Sequence, residues 1–301
     1  MNKPIYEGSA VAIVTPFMEG GVNFKKLEQL VDFHLKSGTD AIVVCGSTGE
    51  ASTMPDNEHL ATIKCVVDAV NHKVPVIAGT GSNDTMHGIE LTKKAQELGA
   101  DAALVVTPYY NKCSEEGLYR HYKMIAESTD IPLILYNVPS RTNVNISADT
   151  LYRLAYIENI VGIKECNFAQ MPKIMNACGD RYDFYSGEDG LVVPMLSLGA
   201  KGVISVVANV LPSTMSKMVH AYIDGDLELA RKIQIDLMPI VGAMFCEVNP
   251  IPVKEAVNLL GLDVGPCRMP LCEMSAKNKE LLIKTMQQYT FDDVNKFLGK
   301  N

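Results

Sequence analysis

Residues 98–106, with the sequence LGADAALVV, decide the fold of this 301-residue chain. In this segment Gly99 follows an amphipathic stretch at the point where a helix commonly ends, and an uncharged apolar run begins at Ala102. The same pattern returns as SGTDA at residues 37–41 and as LGAKG at residues 198–202. Three helix-to-strand connections with a shared pattern indicate a fold built from repeated βα units.

Eight short apolar runs, rich in Val and Ile, occur up to residue 204. They are nearly free of charge, as is typical of parallel strands covered on both faces. The segments between them have helical spacing; Ile63, Val66 and Val70 lie on one helical stripe, for example, and Lys64 and Asp68 lie off it. The runs are residues 10–14, 41–44, 74–78, 102–106, 132–135, 160–163, 183–185 and 202–204.

Eight strand–helix units favour a closed barrel over an open sheet, which usually has fewer strands. We therefore predict an α/β fold in which residues 1–225 form a (β/α)8 catalytic barrel, or TIM barrel. Strand patterns stop after Asp226, and residues 227–247, 253–260 and 276–289 have helical spacing. We predict a C-terminal helical region over residues 226–301, in which Pro239 kinks or splits the first helix.

Composition and charge exclude several classes of function. Hydrophobic residues make up 47% and charged residues 21%, which is typical of a globular protein. The 27 basic and 35 acidic residues give a net charge of -8, which repels nucleic-acid phosphates. The first residues, MNKPIYEGSA, lack a secretory pattern, and no apolar run approaches the ~20 residues that span a bilayer. We expect a cytoplasmic protein without nucleic-acid or membrane partners.

The eight cysteines do not have the spacing of a disulfide framework or a metal site. Cys267 and Cys272 come closest to a pair, but no histidine follows them as it does in common zinc sites. We expect reduced thiols, no metal and no cofactor.

The active site of a barrel of this kind lies at the C-terminal ends of its strands. The sixth apolar run ends in Lys164, where the apolar surroundings disfavour the charged amine. An ordinary lysine is free amine only about 0.04% of the time at pH 7, and a pKa lowered by roughly three units makes it about a thousandfold more available. The alternative is an ion pair between Lys164 and Glu165.

The other strand ends carry hydroxyl groups that can transfer protons. Tyr136, Tyr110 and Ser47 all follow or end apolar runs, and no histidine or clustered carboxylates offer a competing acid–base centre there. The GSTGE segment at residues 46–50 lacks the Gly-Lys-Ser/Thr of a phosphate loop. Ser47 and Thr48 are suited to bind a small carboxylate, with an ordinary turn as the alternative.

Four segments resemble the dihydrodipicolinate synthase family, within the pyruvate-dependent N-acetylneuraminate lyase superfamily. The resemblance extends from about Gly8 to NPIPVK at residues 249–254, nearly the whole chain. The segments are GSTGE at 46–50, YYN at 109–111, YNVPSRT at 136–142 and GIKE at 162–165.

The resemblance implies a 4-hydroxy-tetrahydrodipicolinate synthase that acts in lysine biosynthesis through diaminopimelate. Lys164 would form a Schiff base with pyruvate, and the derived enamine would add to L-aspartate 4-semialdehyde. Tyr136, Ser47 and Tyr110 would form the proton relay, with Tyr110 reaching into the site of a neighbouring subunit. The implied assembly is a homotetramer, a dimer of dimers.

The resemblance also assigns the substrate contacts. Thr48 would bind the pyruvate carboxylate, and Arg141 would bind the semialdehyde carboxylate through its planar guanidinium. Gly187 and Ile204 would line the pocket with their backbone carbonyls.

Two other functions stay open at this point. The sugar acid lyases, such as N-acetylneuraminate lyase and 2-keto-3-deoxygluconate aldolase, share the barrel and the lysine but generally lack Tyr110 and the SRT segment. Ser47 departs from the threonine of most synthases, and a Ser-Thr pair is commoner in those lyases. The third candidate is a non-catalytic barrel that acts as a binding or regulatory protein.

Feedback-sensitive family members bind free L-lysine at a dimer interface. His59, Asn83 and Tyr109 agree with that site, whereas Asp56 stands where a basic or neutral residue is common, and His87 where a glutamate usually binds the lysine amine. The alternative for His59 and His87 is that both are ordinary helix-surface histidines. The matching positions are Ala51, Ser52, Asp56, His59, Asn83, His87 and Tyr109.

Overall fold

Eight parallel strands close into a barrel in the computed structural model, which describes residues 3–300. A short antiparallel hairpin, β2 and β3, lies outside the barrel, and the last strand, β10, pairs with β1. The strands are β1 (Gly8–Ala12), β2 (Phe17–Met18), β3 (Gly21–Val22), β4 (Ala41–Val44), β5 (Val76–Gly79), β6 (Ala102–Val106), β7 (Leu133–Asn137), β8 (Ile160–Glu165), β9 (Asp183–Ser186) and β10 (Gly202–Ser205). The predicted (β/α)8 barrel is confirmed.

Some strands have other ends than the apolar runs predicted, because the hydrogen bonds between strands continue past the apolar residues. β7 and β8 each extend two residues beyond the predicted run, and Tyr136 lies opposite Lys164 in their register. β1 begins two residues early because Gly8 pairs with Gly202, where a side chain on Gly202 would meet the Gly8 carbonyl oxygen. The hairpin was not predicted, since its strands have only two residues each.

Alternation along each strand divides the apolar residues into two layers. Ile134 and Tyr136 of β7 face a small cluster inside the barrel, whereas Leu133 and Leu135 belong to the larger core between strands and helices. An uncharged strand that looks uniform in sequence therefore presents different side chains to the site and to the helices.

The helices begin at side chains that cap their free backbone N–H groups. Asp84, Ser114 and Ser147 accept hydrogen bonds from the first turns of α3, α4 and α6. The barrel helices are α1 (Phe24–Lys36), α2 (Asp56–Val70), α3 (Thr85–Glu97), α4 (Glu115–Glu127), α5 (Pro139–Thr142), α6 (Ala148–Leu154), α7 (Met171–Cys178), α8 (Val192–Ser197) and α9 (Pro212–Ile223). In the described part of the chain, none of the helices combines the length and apolar character needed to cross a membrane.

The C-terminal part is helical, as predicted. Pro239 lies in the first turn of α11 and separates it from α10, which confirms that the 227–247 pattern is split. Val253, Leu282 and Val294 of these helices belong to the same apolar core as the barrel, and the division at residue 225 stays a prediction. The helices are α10 (Leu227–Asp236), α11 (Met238–Met244), α12 (Ile251–Leu259), α13 (Ala276–Met286) and α14 (Asp292–Phe297), the last of which was not predicted.

Candidate active site

Lys164 projects into the barrel from β8 and is buried, with 6% of its surface exposed. Its Nζ atom lies 4.3 Å from the ring centre of Tyr136 on the adjacent strand. Burial is the main cause that lowers the pKa of Lys164, because the charged amine loses its hydration. The amine is therefore shifted towards the neutral, nucleophilic form that the sequence analysis anticipates.

The alternative ion pair between Lys164 and Glu165 is wrong. Successive residues of a strand point to opposite faces, and the Glu165 carboxylate lies on the side away from the barrel interior. There it accepts hydrogen bonds from Asn137 Nδ2 at 2.9 Å, Gln170 Nε2 at 2.9 Å and the Asn167 backbone N–H at 2.5 Å. Burial raises the pKa of Glu165 to about 7.

Two carboxylates stand side by side at the end of β9, where the sequence analysis expects no clustered carboxylates that offer a competing acid–base centre. Glu188 and Asp189 follow β9, and both act to raise the pKa of Lys164 against the larger effect of burial. Asp189 is buried, and its Oδ2 atom accepts hydrogen bonds from the backbone N–H groups of Val206 and Val207, each at 3.0 Å. Burial raises the pKa of both carboxyl groups, and in their ionised form they favour the charged form of Lys164.

The Tyr136 phenol ring lies beside the Lys164 amine. Burial raises the pKa of Tyr136, and a hydrogen bond with the Ser47 hydroxyl acts in the opposite direction. The phenol is thus protonated at neutral pH and able to pass a proton through a neighbouring hydroxyl. The structure brings Tyr136, Ser47 and Lys164 together as the sequence analysis expects.

The turn at residues 46–50 presents Ser47 and Thr48 next to each other. The Ser47 carbonyl accepts a hydrogen bond from Glu50 N–H at 3.1 Å, which closes the turn. The buried Glu50 carboxylate then accepts from Lys254 Nζ and from the Arg268 backbone N–H, both at 2.8 Å. An ion pair beneath the turn therefore fixes the residues that face the cavity.

Arg141 stands on the short helix α5, with its side chain exposed at the cavity. Its Nη2 atom donates to the backbone carbonyl of Asn249 at 3.2 Å. Thr107 Oγ1 donates to Thr142 Oγ1 at 2.8 Å and ties α5 to the end of β6. The guanidinium is thus held at the opening by groups from distant parts of the chain.

A cavity of about 470 Å³, a volume suited to small substrates, is lined by Ser47, Tyr136 and Arg141 among others. Gly187 lies beside the amine, because an added Cβ would be 3.3 Å from Lys164 Cε and 2.2 Å from Cys166 Sγ. Ile204 is buried among the residues inside the barrel. The lining includes Ser47, Tyr136, Val138, Arg141, Thr142 and Asn249.

Tyr110 is the one predicted relay residue that the single chain leaves apart. Its side chain is 93% exposed, and it is not among the residues that line the cavity of its own chain. Its φ of 70° is unusual for a residue with a side chain.

Six of the seven positions that match the lysine effector site line the same cavity. His87 bridges Asp56 Oδ1 at 3.0 Å and Ser82 Oγ at 3.2 Å. His59 is buried, contacts the Gly79 carbonyl through Nε2 at 2.8 Å and has a pKa lowered by burial, so it is not a surface histidine. Ala51, Ser52, Asp56, His59, His87 and Tyr109 line the cavity, and Asn83 donates to the Tyr109 carbonyl at 3.1 Å.

Sequence reasoning gave no role to Asn249 or Cys166. Asn249 opens the NPIPVK segment, which was noted only as part of the resemblance, and Cys166 follows Lys164 by two residues and so shares its strand face. Within residues 3–300, no group of three or more His, Cys, Asp and Glu side chains is arranged to hold a metal ion.

Comparison with known sequences identifies close relatives. A model of the dihydrodipicolinate synthetase family matches residues 5–289. A protein of Acetivibrio thermocellus named 4-hydroxy-tetrahydrodipicolinate synthase is 56% identical over 289 residues, which cover 96% of this chain and 99% of that protein.

Two solved structures have the same fold along nearly their whole length. Dihydrodipicolinate synthase from Acinetobacter baumannii, complexed with pyruvate, is 46% identical with a TM-score of 0.91 and covers 94% of this chain and 98% of its own. The synthase from Cyanidioschyzon merolae with lysine bound is 39% identical with a TM-score of 0.92 and covers 95% and 99%. The chain therefore belongs to the dihydrodipicolinate synthetase family.

Proposed function

We propose that this chain condenses pyruvate with L-aspartate 4-semialdehyde, the reaction of 4-hydroxy-tetrahydrodipicolinate synthases. The observation that carries the proposal is a buried Lys164 with a lowered pKa beside Tyr136. Within residues 3–300, no carboxylate is hydrogen-bonded to the Lys164 amine. The relatives at 50% identity or more bear the name of this synthase, which favours it over the sugar acid lyases.

The reaction begins when the Lys164 lone pair attacks the keto carbon of pyruvate. The resulting carbinolamine takes a proton from Tyr136 and loses water, which leaves a protonated imine. The Tyr136 phenolate takes back a methyl proton, which leaves a neutral enamine. The enamine carbon then forms the new bond to the aldehyde carbon, the aldehyde oxygen takes a proton from Tyr136 and becomes a hydroxyl group, and the nitrogen returns to a protonated imine. The amino group of the former semialdehyde then attacks the imine carbon, closes the ring and releases Lys164 as the free amine.

The two substrate carboxylates have separate partners in this proposal. Thr48 and its turn bind the pyruvate carboxylate, and Arg141 at the opening binds that of the semialdehyde, as a planar two-pronged donor can. The carbonyls of Gly187 and Ile204 line the pocket near the amine. Ser47 keeps the hydroxyl that the relay needs although it lacks the methyl group of threonine.

Assembly enters the proposal through Tyr110. The Tyr110 side chain is 93% exposed in the single chain, so its phenol is accessible to a second copy. We therefore assign Tyr110 to the relay of a neighbouring subunit in a dimer, with the homotetramer as a pair of such dimers. A protein that is monomeric at assay concentration and fully active would contradict this assignment.

The proposal includes the location of a lysine effector site, and the effect of L-lysine on turnover is left to experiment. The Asp56–His87 contact fills the part of the cavity where sensitive members offer a glutamate to the lysine amine. Titration of turnover with L-lysine measures the response directly. A flat curve would show that these two exchanges have removed feedback control.

Turnover of both substrates by the purified protein and its Arg141→Ala variant tests the proposed function. The parent protein should consume aspartate semialdehyde in the presence of pyruvate, and the variant should lose turnover while it still forms the pyruvate imine. Cleavage of 2-keto-3-deoxygluconate without semialdehyde turnover would favour the sugar acid lyases instead. No reaction with either substrate would leave the binding protein as the explanation.

A further inference from the structure

Asn249 contacts both residues to which the proposed function assigns a substrate carboxylate. Its Nδ2 atom donates to Thr48 Oγ1 at 3.0 Å, and its backbone carbonyl accepts from Arg141 Nη2 at 3.2 Å. Asn249 is buried, with 6% of its surface exposed, and it lines the cavity. A single residue thus joins the turn after β4 to the helix after β7.

The contact with Thr48 determines where that hydroxyl can donate. A threonine hydroxyl has one proton and two lone pairs, and the Asn249 amide occupies a lone pair. The hydroxyl proton is then left for another acceptor, and a carboxylate bound in the cavity is an acceptor of the right kind. An apolar residue at position 249 would leave the hydroxyl free to rotate.

Packing alone does not account for the amide. Among the described residues, the Asn249 Oδ1 atom is buried without a hydrogen-bond partner, which is unfavourable. A residue of similar size without polar atoms would avoid this cost. The amide is therefore explained by what its nitrogen does for Thr48.

We propose that Asn249 is a positioning residue that orients the Thr48 hydroxyl towards the pyruvate carboxylate. This inference rests on the proposed function, because it assumes that pyruvate occupies the turn at Thr48. The backbone carbonyl holds Arg141 independently of the side chain, so a change of side chain acts on the pyruvate end alone.

The experiment measures how much pyruvate is needed for half-maximal borohydride trapping of the protein. Asn249→Ala should raise that concentration about fivefold, the effect of one neutral hydrogen bond, with the maximal extent of trapping unchanged. The KM for aspartate semialdehyde should change less than twofold. In a Thr48→Val background the same Asn249→Ala change should add no further rise.

Asn258→Ala is the matched control, since Asn258 lies on α12, the helix that follows Asn249, and is not among the residues that line the cavity. Its amide donates to the Gly265 carbonyl and accepts from the Val264 N–H. The control variant should keep the parent's pyruvate dependence. An unchanged pyruvate dependence in Asn249→Ala, an equal rise in both substrate constants, or a rise that persists with Thr48→Val would overturn the inference.

Asn249→Asp keeps the shape of the side chain and serves if Asn249→Ala does not fold. It should weaken pyruvate binding at least as much, because it removes the donor and brings a negative charge near the carboxylate. If neither variant folds while Asn258→Ala does, Asn249 is structural and the inference is overturned. If the parent protein itself traps no pyruvate, the proposed function fails first.

Discussion

Replacing Lys254 by methionine should destabilise the protein strongly, because it removes one half of a buried ion pair. Lys254 Nζ lies 2.8 Å from Glu50 Oε1, and the two side chains are only 2% and 1% exposed. The amine also donates to the Pro266 carbonyl at 2.7 Å. In Lys254→Met the Glu50 carboxylate stays buried and keeps the Arg268 backbone N–H as a hydrogen-bond donor, but it loses the charge that neutralises it.

The loss of one partner from a buried pair costs about 3–5 kcal/mol, because an uncompensated charge remains in the interior. For a chain of this size that corresponds to a melting temperature lowered by roughly 5–8 °C. The double variant Glu50→Gln with Lys254→Met removes both charges of this pair, and we expect it to recover at least half of the lost stability.

Thermal unfolding of the variants measures these differences, and Lys232→Met supplies the matched control. Lys232 pairs with Asp236 on the surface, where both side chains are more than half exposed, and such pairs contribute about 0–1 kcal/mol. If Lys254→Met melts at the same temperature as Lys232→Met, the reasoning about the buried pair is refuted. The same result would remove the argument that this pair fixes the turn carrying Thr48.

Three further changes test other parts of the structure. Burial lowers the pKa of His34 to about 3, so the folded state binds fewer protons than the unfolded state below pH 6.5, and stability falls as the pH drops from there towards 3. His34→Leu should make stability less dependent on pH over that interval by up to about 1.4 kcal/mol per pH unit, and an unchanged slope in urea titrations would contradict this. Gly187→Ala should impair borohydride trapping by pyruvate because its Cβ would meet Cys166 Sγ at 2.2 Å, and adding Cys166→Ala should restore part of it; full trapping in Gly187→Ala alone would argue against the close contact. Tyr136→Phe should lower kcat about a hundredfold or more while pyruvate still binds, and a kcat within threefold of the parent would remove Tyr136 from the relay.

The sequence predicts the barrel because each strand and helix has a local pattern and the same strand–helix unit is repeated along the chain. The run at residues 102–106 coincides with β6. Pro239 separates α10 from α11 because a proline inside a helix lacks the N–H that the helix needs. The ends of the strands are predicted less accurately than the strands themselves. Tyr136 and Asn137, for example, belong to β7 because of hydrogen bonds to neighbouring strands and not because they are apolar. The two-residue hairpin is too short to produce a pattern.

The site could be predicted only as far as single residues reveal their chemistry. Lys164 stands out because a charged residue ends an apolar strand. Asn249 does not, because its partners Thr48 and Arg141 are 201 and 108 residues away in the chain. The pair formed by Glu50 and Lys254 spans 204 residues and was missed for the same reason.

The most direct test of the central claim is to locate the adduct formed with pyruvate and borohydride. Digestion and mass spectrometry of the treated protein should find the mass of a reduced pyruvate imine on Lys164, and the Lys164→Ala variant should lose both the adduct and turnover. An adduct on another lysine, or full turnover by Lys164→Ala, would contradict the assignment of Lys164 as the amine that binds pyruvate.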